Sequence, residues 1–206
     1  MRSLGPTVSP VVSRSKASRP VLDVTLGDAR VALPAPRTIV DLGCGTGAVG
    51  SAWALETGGA AEVLGIDRNP WALEEARRTL RALGVRGRLR RAPAERERLP
   101  GDGSAIAAGW FLNEVPGPDR HRLLGAMLDA ARRGAAVLVV EPASRRIAPW
   151  WPEWAAAFAA AGGRDDAWRF RVELPERLGL LDRASGLDHR ELTARSLWLA
   201  PRPPAP

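Results

Sequence analysis

Short apolar runs alternate with helix-compatible segments along most of the chain. A short apolar run bounded by turn residues predicts a buried strand, whereas apolar residues recurring every three or four positions predict an amphipathic helix. Strands and helices that alternate about five times predict a parallel sheet with helices on both faces. The predicted strands cover residues 38–40, 62–66, 86–91, 104–111 and 135–140, and the predicted helices cover 48–55, 70–83, 118–133 and 150–161.

Two further strands are predicted near the C-terminus. Residues 168–174 and 193–200 have strand-compatible composition, and we expect an antiparallel pair at the edge of the sheet. The sequence therefore predicts an α/β fold of three layers, with a mainly parallel sheet and an antiparallel strand near the C-terminus. We assign residues 31–200 to this single domain.

The two ends of the chain differ from the predicted domain. Residues 1–30 form a basic arm that we expect to be partly disordered. The first 20 residues contain four basic residues and no acid, a composition similar to that of a transit peptide. Their prolines disfavour the amphipathic helix that such a peptide needs, which favours a disordered arm. Residues 201–206 are proline-rich and are expected to form a loose tail.

The charge of the chain favours an acidic partner. The net charge of +7 over 206 residues is suited to contact with RNA. However, Lys16 is the only lysine, alanine and proline are abundant, and tyrosine is absent. Because GC-rich coding would produce the same pattern, the charge alone does not identify the partner.

Composition also argues against several classes of protein. No stretch approaches the roughly 20 apolar residues that a membrane span needs. The single cysteine, Cys44, cannot form an internal disulfide, and we expect a cytoplasmic location. With only His121 and His189 beside that cysteine, no metal site is expected.

The most informative segment is Val-Asp-Leu-Gly-Cys-Gly-Thr-Gly at residues 40–47. This pattern predicts a buried strand that ends in a tight glycine turn, where a ligand can approach the bare backbone. Residues 45–50 also fit the G-x-G-x-x-G pattern of dinucleotide-binding proteins. Asp67 follows 20 residues after Gly47, and an acid at this distance binds ribose hydroxyls in either class of cofactor.

These residues resemble the first two motifs of class I S-adenosylmethionine (SAM) dependent methyltransferases. The motifs are Asp-Leu-Gly-Cys-Gly-Thr-Gly at residues 41–47 and Gly-Ile-Asp-Arg-Asn-Pro at residues 65–70, and the order of elements is similar over residues 36–200. The resemblance implies a Rossmann-like fold that binds SAM and releases S-adenosylhomocysteine. It places Gly43, Gly45 and Gly47 beside the methionine part, Asp41 near the amino group directly or through water, Asp67 on the ribose and Arg68 beside the adenine.

The adenine side of the implied site departs from the family pattern. Many relatives have an aspartate after the third strand that binds the adenine amine, whereas residues 91–95 here read Arg-Ala-Pro-Ala-Glu. Glu95 or the backbone near Ala94 is expected to substitute. The implied cofactor site also includes Cys44, which we expect to act by packing within the turn, and Trp110.

The end of the fourth predicted strand carries the candidate catalytic residues. Asn113 and Glu114 lie where open α/β sheets place ligand-facing residues. In related adenine-methylating enzymes an Asn or Asp here holds the target amine, although the usual prolines and aromatic residue are absent from this chain. Glu114 is the candidate general base. The alternative is that both residues cap the loop or the following helix.

Two short segments resemble a narrower family. Leu-Asn-Glu-Val at residues 112–115 and Val-Val-Glu-Pro at residues 139–142 are similar to the methyltransferase-like family associated with the small ribosomal subunit. The resemblance implies ribosomal RNA or a ribosome-related target. The alternatives are a small-molecule methyltransferase, a SAM-binding assembly factor without catalysis and a nicotinamide-dependent oxidoreductase.

Two further features are candidates for substrate contact. Nine arginines between Arg77 and Arg98 form either a phosphate-binding face or a solvated face with ion pairs, and we favour the second. Trp150 and Trp154 share a helix face with Phe158, which predicts core packing. Trp151 points elsewhere and is a candidate to stack on a base or cover the active site.

Overall fold

The computed structural model describes residues 36–171, 174, 176–187 and 190–201. The predicted basic arm at 1–30 and nearly all of the predicted tail at 201–206 lie outside these residues. The elements are β1 (Thr38–Leu42), α1 (Ala48–Glu56), β2 (Glu62–Asp67), α2 (Pro70–Ala82), β3 (Gly87–Arg91), β4 (Ser104–Gly109), α3 (Gly117–Arg132), β5 (Ala136–Pro142), α4 (Trp151–Ala160), β6 (Arg164–Arg171), α5 (Glu176–Ala184) and β7 (Glu191–Leu199), with short 3-10 turns at Ala94–Arg96 and Leu112–Glu114.

The seven strands form one sheet in the order β3-β2-β1-β4-β5-β7-β6. The first five strands in this order are parallel, whereas β7 is antiparallel to both of its neighbours. This topology confirms the predicted α/β fold with an antiparallel strand near the C-terminus. Because the strand order reverses between β1 and β4, their carboxyl ends leave a crevice where open sheets bind ligands.

Alternating residues of the strands bury two separate apolar layers. Val40 of β1 belongs to the same core cluster as Met127 of α3 and Trp154 of α4. The neighbouring Ile39 belongs to the opposite cluster, with Trp53 of α1 and residues of α2. The sheet is therefore covered on both faces, which confirms the predicted three layers.

The C-terminal elements differ most from the prediction. Strand β6 begins at Arg164, four residues before the predicted start, because an edge strand tolerates polar residues such as Asp165 and Asp166. Helix α5 was not predicted, and its exposed leucines explain why. Leu178, Leu180 and Leu181 are each more than half exposed, so the helix lacks the buried apolar stripe on which the pattern depends.

No helix in the described part of the chain is both long enough and apolar enough to cross a membrane.

Candidate active site

A cavity of about 460 Å³ lies at the carboxyl ends of β1, β2 and β4. Its size is in the range of small-molecule and cofactor sites. Of the predicted site residues, Gly43, Cys44, Gly45, Asp67, Arg68, Ala94, Trp110 and Glu114 line this cavity, whereas Asp41, Gly47, Glu95 and Asn113 do not. Among the other lining residues are Thr46, Asn69 and Phe111, which the sequence did not single out.

The glycine turn after β1 forms one wall of the cavity. Gly43 has a φ of +61°, and a Cβ placed there would lie 2.1 Å from Cδ2 of Phe111. Gly43 is therefore required twice, by its left-handed backbone and by the aromatic ring that packs against it. The turn is joined to the next strand because the Cys44 N–H donates to the carbonyl of Ile66 at 3.0 Å.

Asp67, the last residue of β2, is held by two backbone donors. Its Oδ2 accepts a hydrogen bond from the Gly45 N–H at 2.9 Å, and its Oδ1 accepts one from the Asn69 N–H at 2.8 Å. Asn69 is itself the N-cap of α2 and accepts from the Trp71 N–H at 3.0 Å. Hydrogen bonds therefore join the glycine turn, the Asp67 carboxylate and the start of α2 into one unit, and the carboxylate faces the cavity.

Asp41 lies behind the glycine turn and does not line the cavity. Only 1% of Asp41 is exposed, and its Oδ2 accepts from the Gly50 N–H of α1 at 2.9 Å. The pKa of this carboxyl is raised to about 7, mainly by burial and to a smaller extent by the charge of Asp67. The hydrogen bond from Gly50 acts in the opposite direction and lowers the pKa. The position favours a role in bracing the turn against α1, and contact with a cofactor amino group stays a prediction.

The raised pKa of Asp41 predicts a pH-dependent free energy of unfolding. A carboxyl whose pKa is raised on folding stabilises the protein below its ordinary value of 3.8, and this stabilisation is lost as the pH rises towards about 7. Asp41→Asn cannot ionise, so the variant should gain stability relative to wild type across this window, by up to about 1.4 kcal/mol per pH unit. Urea unfolding at several pH values measures the difference.

The control for this prediction is Asp102→Asn, since Asp102 is exposed in a loop before β4. Replacing this exposed side chain should change the free energy of unfolding by less than about 0.5 kcal/mol. A difference between Asp41→Asn and wild type that is constant from pH 4 to pH 7 would contradict the assignment.

Cys44 packs as predicted and is unsuited to nucleophilic catalysis. It is 7% exposed, and its Sγ lies so close to Gly65 that a Cβ on that glycine would be 3.0 Å away. Burial raises the pKa of the thiol far above its ordinary value, and the charges of Asp41 and Asp67 raise it further. Because the thiolate is the reactive form, this neutral thiol serves as a wall of the cavity.

The expected adenine side of the cavity contains an ion pair. Arg68 donates from Nη2 to Oε1 of Glu95, and Glu95 is buried directly after the cavity-lining Ala94. Within the described residues, Oε2 of Glu95 has no hydrogen-bond partner. A buried carboxylate oxygen without a donor is costly, so this atom is a ready acceptor for an amine donor beside Ala94.

The loop after β4 brings Glu114 to the cavity but not Asn113. Trp110 has a φ of +52°, which is uncommon for a residue with a side chain, and it is 54% exposed at the cavity mouth. Asn113 instead donates from Nδ2 to Glu141 and accepts from Nε1 of Trp150 at 3.2 Å. Both ends of the Asn113 amide are therefore already bonded within the protein, and its contact with a substrate stays a prediction.

Glu141, to which the sequence assigned no separate role, organises this loop. It is fully buried at the end of β5, and its Oε1 accepts from the N–H groups of Phe111 at 3.2 Å and Leu112 at 2.8 Å. Burial raises the pKa of Glu141 to about 7, against the lowering effect of these bonds and of Arg195 and Arg120. The available signal was an acid at the carboxyl end of a buried strand, in the segment Glu141-Pro142.

The tryptophans of the α4 segment belong to the core. Trp150, Trp151 and Trp154 are each at most 8% exposed. Trp151 donates from Nε1 to Asp165 at 3.2 Å, and the guanidinium carbon of Arg195 lies 4.3 Å from the centre of its ring. The alternative in which Trp151 stacks on a base is therefore wrong, because its ring is buried against side chains of β6 and β7.

The arginine-rich segment is divided between ion pairs and carbonyl contacts. On α2, Arg77 pairs with Glu74 and Arg78 pairs with Glu75, as the solvated-face interpretation predicts. By contrast, Arg91 bonds from Nε to the carbonyl oxygen of Arg68 at 3.2 Å. A bond to a neutral carbonyl does not compensate the guanidinium charge, so positive charge remains at the end of β3 nearest the cavity.

The part of the chain that the structure describes contains no group of three or more His, Cys, Asp or Glu residues suited to a metal.

Residues 39–134 match a family model described as a methyltransferase domain, which covers just under half of the chain. A search of curated proteins found no match. The matched residues contain the glycine turn, Asp67 and the loop after β4.

Solved structures of similar fold include several methyltransferases. Precorrin-6y C5,15-methyltransferase from Geobacter metallireducens is 15% identical with a TM-score of 0.58, over 86% of this chain and 87% of that chain. A SAM-dependent methyltransferase from Aquifex aeolicus is 15% identical with a TM-score of 0.54, over 86% and 88%. A proposed RNA methyltransferase from Pyrococcus horikoshii is 14% identical with a TM-score of 0.54, over 87% and 82%. At these identities the likeness establishes the Rossmann-like fold, and together with the family match it supports a class I methyltransferase.

Proposed function

We propose that this chain is a class I methyltransferase that binds SAM in the cavity at the ends of β1, β2 and β4. Its proposed methyl acceptor is RNA of the small ribosomal subunit or a related target. The observation that carries the cofactor assignment is the hydrogen bond between the Gly45 N–H and Asp67 Oδ2 at 2.9 Å. It joins a bare backbone turn to an anion in one cavity, and such an anion can accept both ribose hydroxyls.

The remaining walls fit the other parts of SAM. Gly43 lies against the ring of Phe111, so the turn presents backbone rather than side chain to the methionine part. The unpartnered Oε2 of Glu95 suits the adenine amine, and Ala94 contributes an apolar wall beside it. SAM carries a sulfonium and no pyrophosphate, so the site needs no helix terminus aimed at a phosphate.

SAM supplies an electrophilic methyl carbon, and the protein contributes alignment of the acceptor with that carbon. Glu114 is exposed and lines the cavity, where its carboxylate can accept a proton from an acceptor that cannot lose one unaided. Trp110, at the same mouth, offers an aromatic surface against which a planar acceptor can stack.

RNA is the proposed acceptor because the chain is basic and because part of its positive charge lies at the cavity end of β3. The chain carries a net charge of +7, and Arg91, at the cavity end of β3, has its guanidinium on a neutral carbonyl. Arg81 likewise bonds to the carbonyl oxygen of Arg77 at 3.3 Å. The segments at 112–115 and 139–142 also favour a ribosome-related acceptor. With such an acceptor, the proposed location of the protein is the cytoplasm.

Methyl-labelled SAM tests the acceptor. Purified protein incubated with labelled SAM and small-subunit RNA from a strain lacking the gene should label the RNA, and the labelling should decrease with rising salt because phosphate contacts release counterions. Arg91→Gln should lower RNA affinity more than Arg77→Gln, since Arg77 is paired with Glu74 and contributes little free charge. The measurement is RNA binding by filter retention at two salt concentrations.

The other outcomes identify the competing functions. Labelling of a small molecule in a cell extract, with none in RNA, would replace the RNA proposal by a small-molecule methyltransferase. Binding of S-adenosylhomocysteine without transfer to RNA, ribosomal subunits or extract would indicate an assembly factor without catalysis.

A further inference from the structure

The backbone of the loop after β4 is held by a buried carboxylate on one side and by a half-buried guanidinium on the other. Glu141 accepts the N–H groups of Phe111 and Leu112, while Arg120 of α3 donates from Nη1 to the carbonyl oxygens of Leu112 at 3.2 Å and Val115 at 2.9 Å. The same loop carries Trp110 and Glu114 into the cavity wall. Loop position and cavity shape therefore depend on one carboxylate and one guanidinium.

Hydrogen bonds from Trp150 and Asn113 determine which side-chain atoms near Glu141 donate and which accept. The indole N–H of Trp150 can only donate, and it donates to Oδ1 of Asn113. The Asn113 amide must then turn its Nδ2 towards Oε2 of Glu141, to which it donates. A chain of donors thus runs from Trp150 through Asn113 and ends at Glu141, which must accept on both oxygens.

We propose that Glu141 is a positioning residue whose carboxylate holds the loop at residues 110–114 in place as a wall of the cofactor cavity. Trp150 and Asn113 fix the one arrangement of donors and acceptors in which each of these hydrogen bonds is satisfied. The inference rests on the proposed function, because the wall that Glu141 positions is that of the SAM cavity. Glu141 itself does not line the cavity, so it acts through the loop.

Substituting Gln for Glu141 changes one acceptor into a donor at nearly constant shape. If the amide oxygen keeps the N–H groups of Phe111 and Leu112, the new amine faces Asn113. Asn113 must then rotate its amide, which brings its Nδ2 against the N–H of Trp150 and leaves two donors facing each other. Trp150→Phe removes that N–H, so the double variant no longer places two donors against each other.

The experiment compares wild type with four variants by hydrogen exchange of residues 110–114 and by titration with S-adenosylhomocysteine. Glu141→Gln should accelerate exchange of the Phe111 and Leu112 amides and weaken binding, each by about tenfold, as expected for the loss of one buried bond to a charged group. The double variant Glu141→Gln/Trp150→Phe should recover towards Trp150→Phe alone. Glu62→Gln, which removes a partly buried carboxylate paired with Arg88 at 2.9 Å and remote from the loop in sequence, is the control and should behave as wild type.

The recovery separates positioning from mere support of the fold, because a second core substitution would add to a general loss of packing. Equal exchange and equal affinity in Glu141→Gln and wild type would overturn the inference, as would a double variant worse than both single variants. If wild type itself fails to bind S-adenosylhomocysteine, the proposed function fails, while the exchange of the loop still decides whether Glu141 sets its position.

Discussion

Replacing Asp67 by alanine should lower the affinity for S-adenosylhomocysteine by at least about 100-fold. The carboxylate faces the cavity and is fixed by the N–H groups of Gly45 and Asn69, so it can accept two ribose hydroxyls without reorganising. Each hydrogen bond to a charged acceptor contributes about 1.5–3 kcal/mol, and the loss of two gives this factor. Isothermal titration calorimetry measures the change.

Two variants make this result specific. Asp67→Asn keeps one acceptor oxygen and should bind with intermediate affinity. Asp102→Ala removes an exposed carboxylate in the loop before β4 and should bind as wild type does. Unchanged affinity in Asp67→Ala, with a folded protein by circular dichroism, would refute the assignment of Asp67 to the ribose.

Replacing Gly43 by alanine should destabilise the fold and also impair cofactor binding. The new Cβ would lie 2.1 Å from Cδ2 of Phe111, in a backbone conformation with φ of +61°. The backbone strain costs about 1–3 kcal/mol, and overpacking typically adds about 1–3 kcal/mol more. Urea unfolding should show this loss of stability, and the displaced Phe111 should weaken binding of S-adenosylhomocysteine.

Gly45→Ala is the matched control for the contact with Phe111. Gly45 has a φ of +51°, but a Cβ there would meet no atom of the described residues within 4 Å. This variant should therefore lose only the part of the stability that is due to backbone strain. Equal destabilisation by the two substitutions would show that the approach of Phe111 to the turn is not tight.

The parts of the site that sequence predicted are local in the chain. The glycine turn and the strand ending at Asp67 lie within about 30 residues of one another, and the turn has the glycines that its left-handed backbone requires. The mainly parallel sheet follows from the alternation of strands and helices, and the structure confirms it. The match at residues 39–134 supports the methyltransferase interpretation in the same region.

The parts that sequence missed depend on contacts between distant residues. Asn113 was placed at the correct end of β4, but its partners, Glu141 and Trp150, lie 28 and 37 residues away and no local pattern pairs them. Trp151 was assigned an exposed face by helical geometry, yet β6 and β7 supply the Asp165 and Arg195 that bury it. Asp41 lies beside α1 rather than in the cavity, because the Gly50 N–H binds its carboxylate.

Titration of the wild-type protein with S-adenosylhomocysteine, and separately with NAD, tests most directly which nucleoside cofactor the cavity binds. The sequence at residues 45–50 fits the dinucleotide pattern as well, so both ligands are informative. We predict saturable binding of one S-adenosylhomocysteine per chain and no binding of NAD at the same concentrations. Saturable binding of NAD with none of S-adenosylhomocysteine would contradict the assignment of the cavity to SAM.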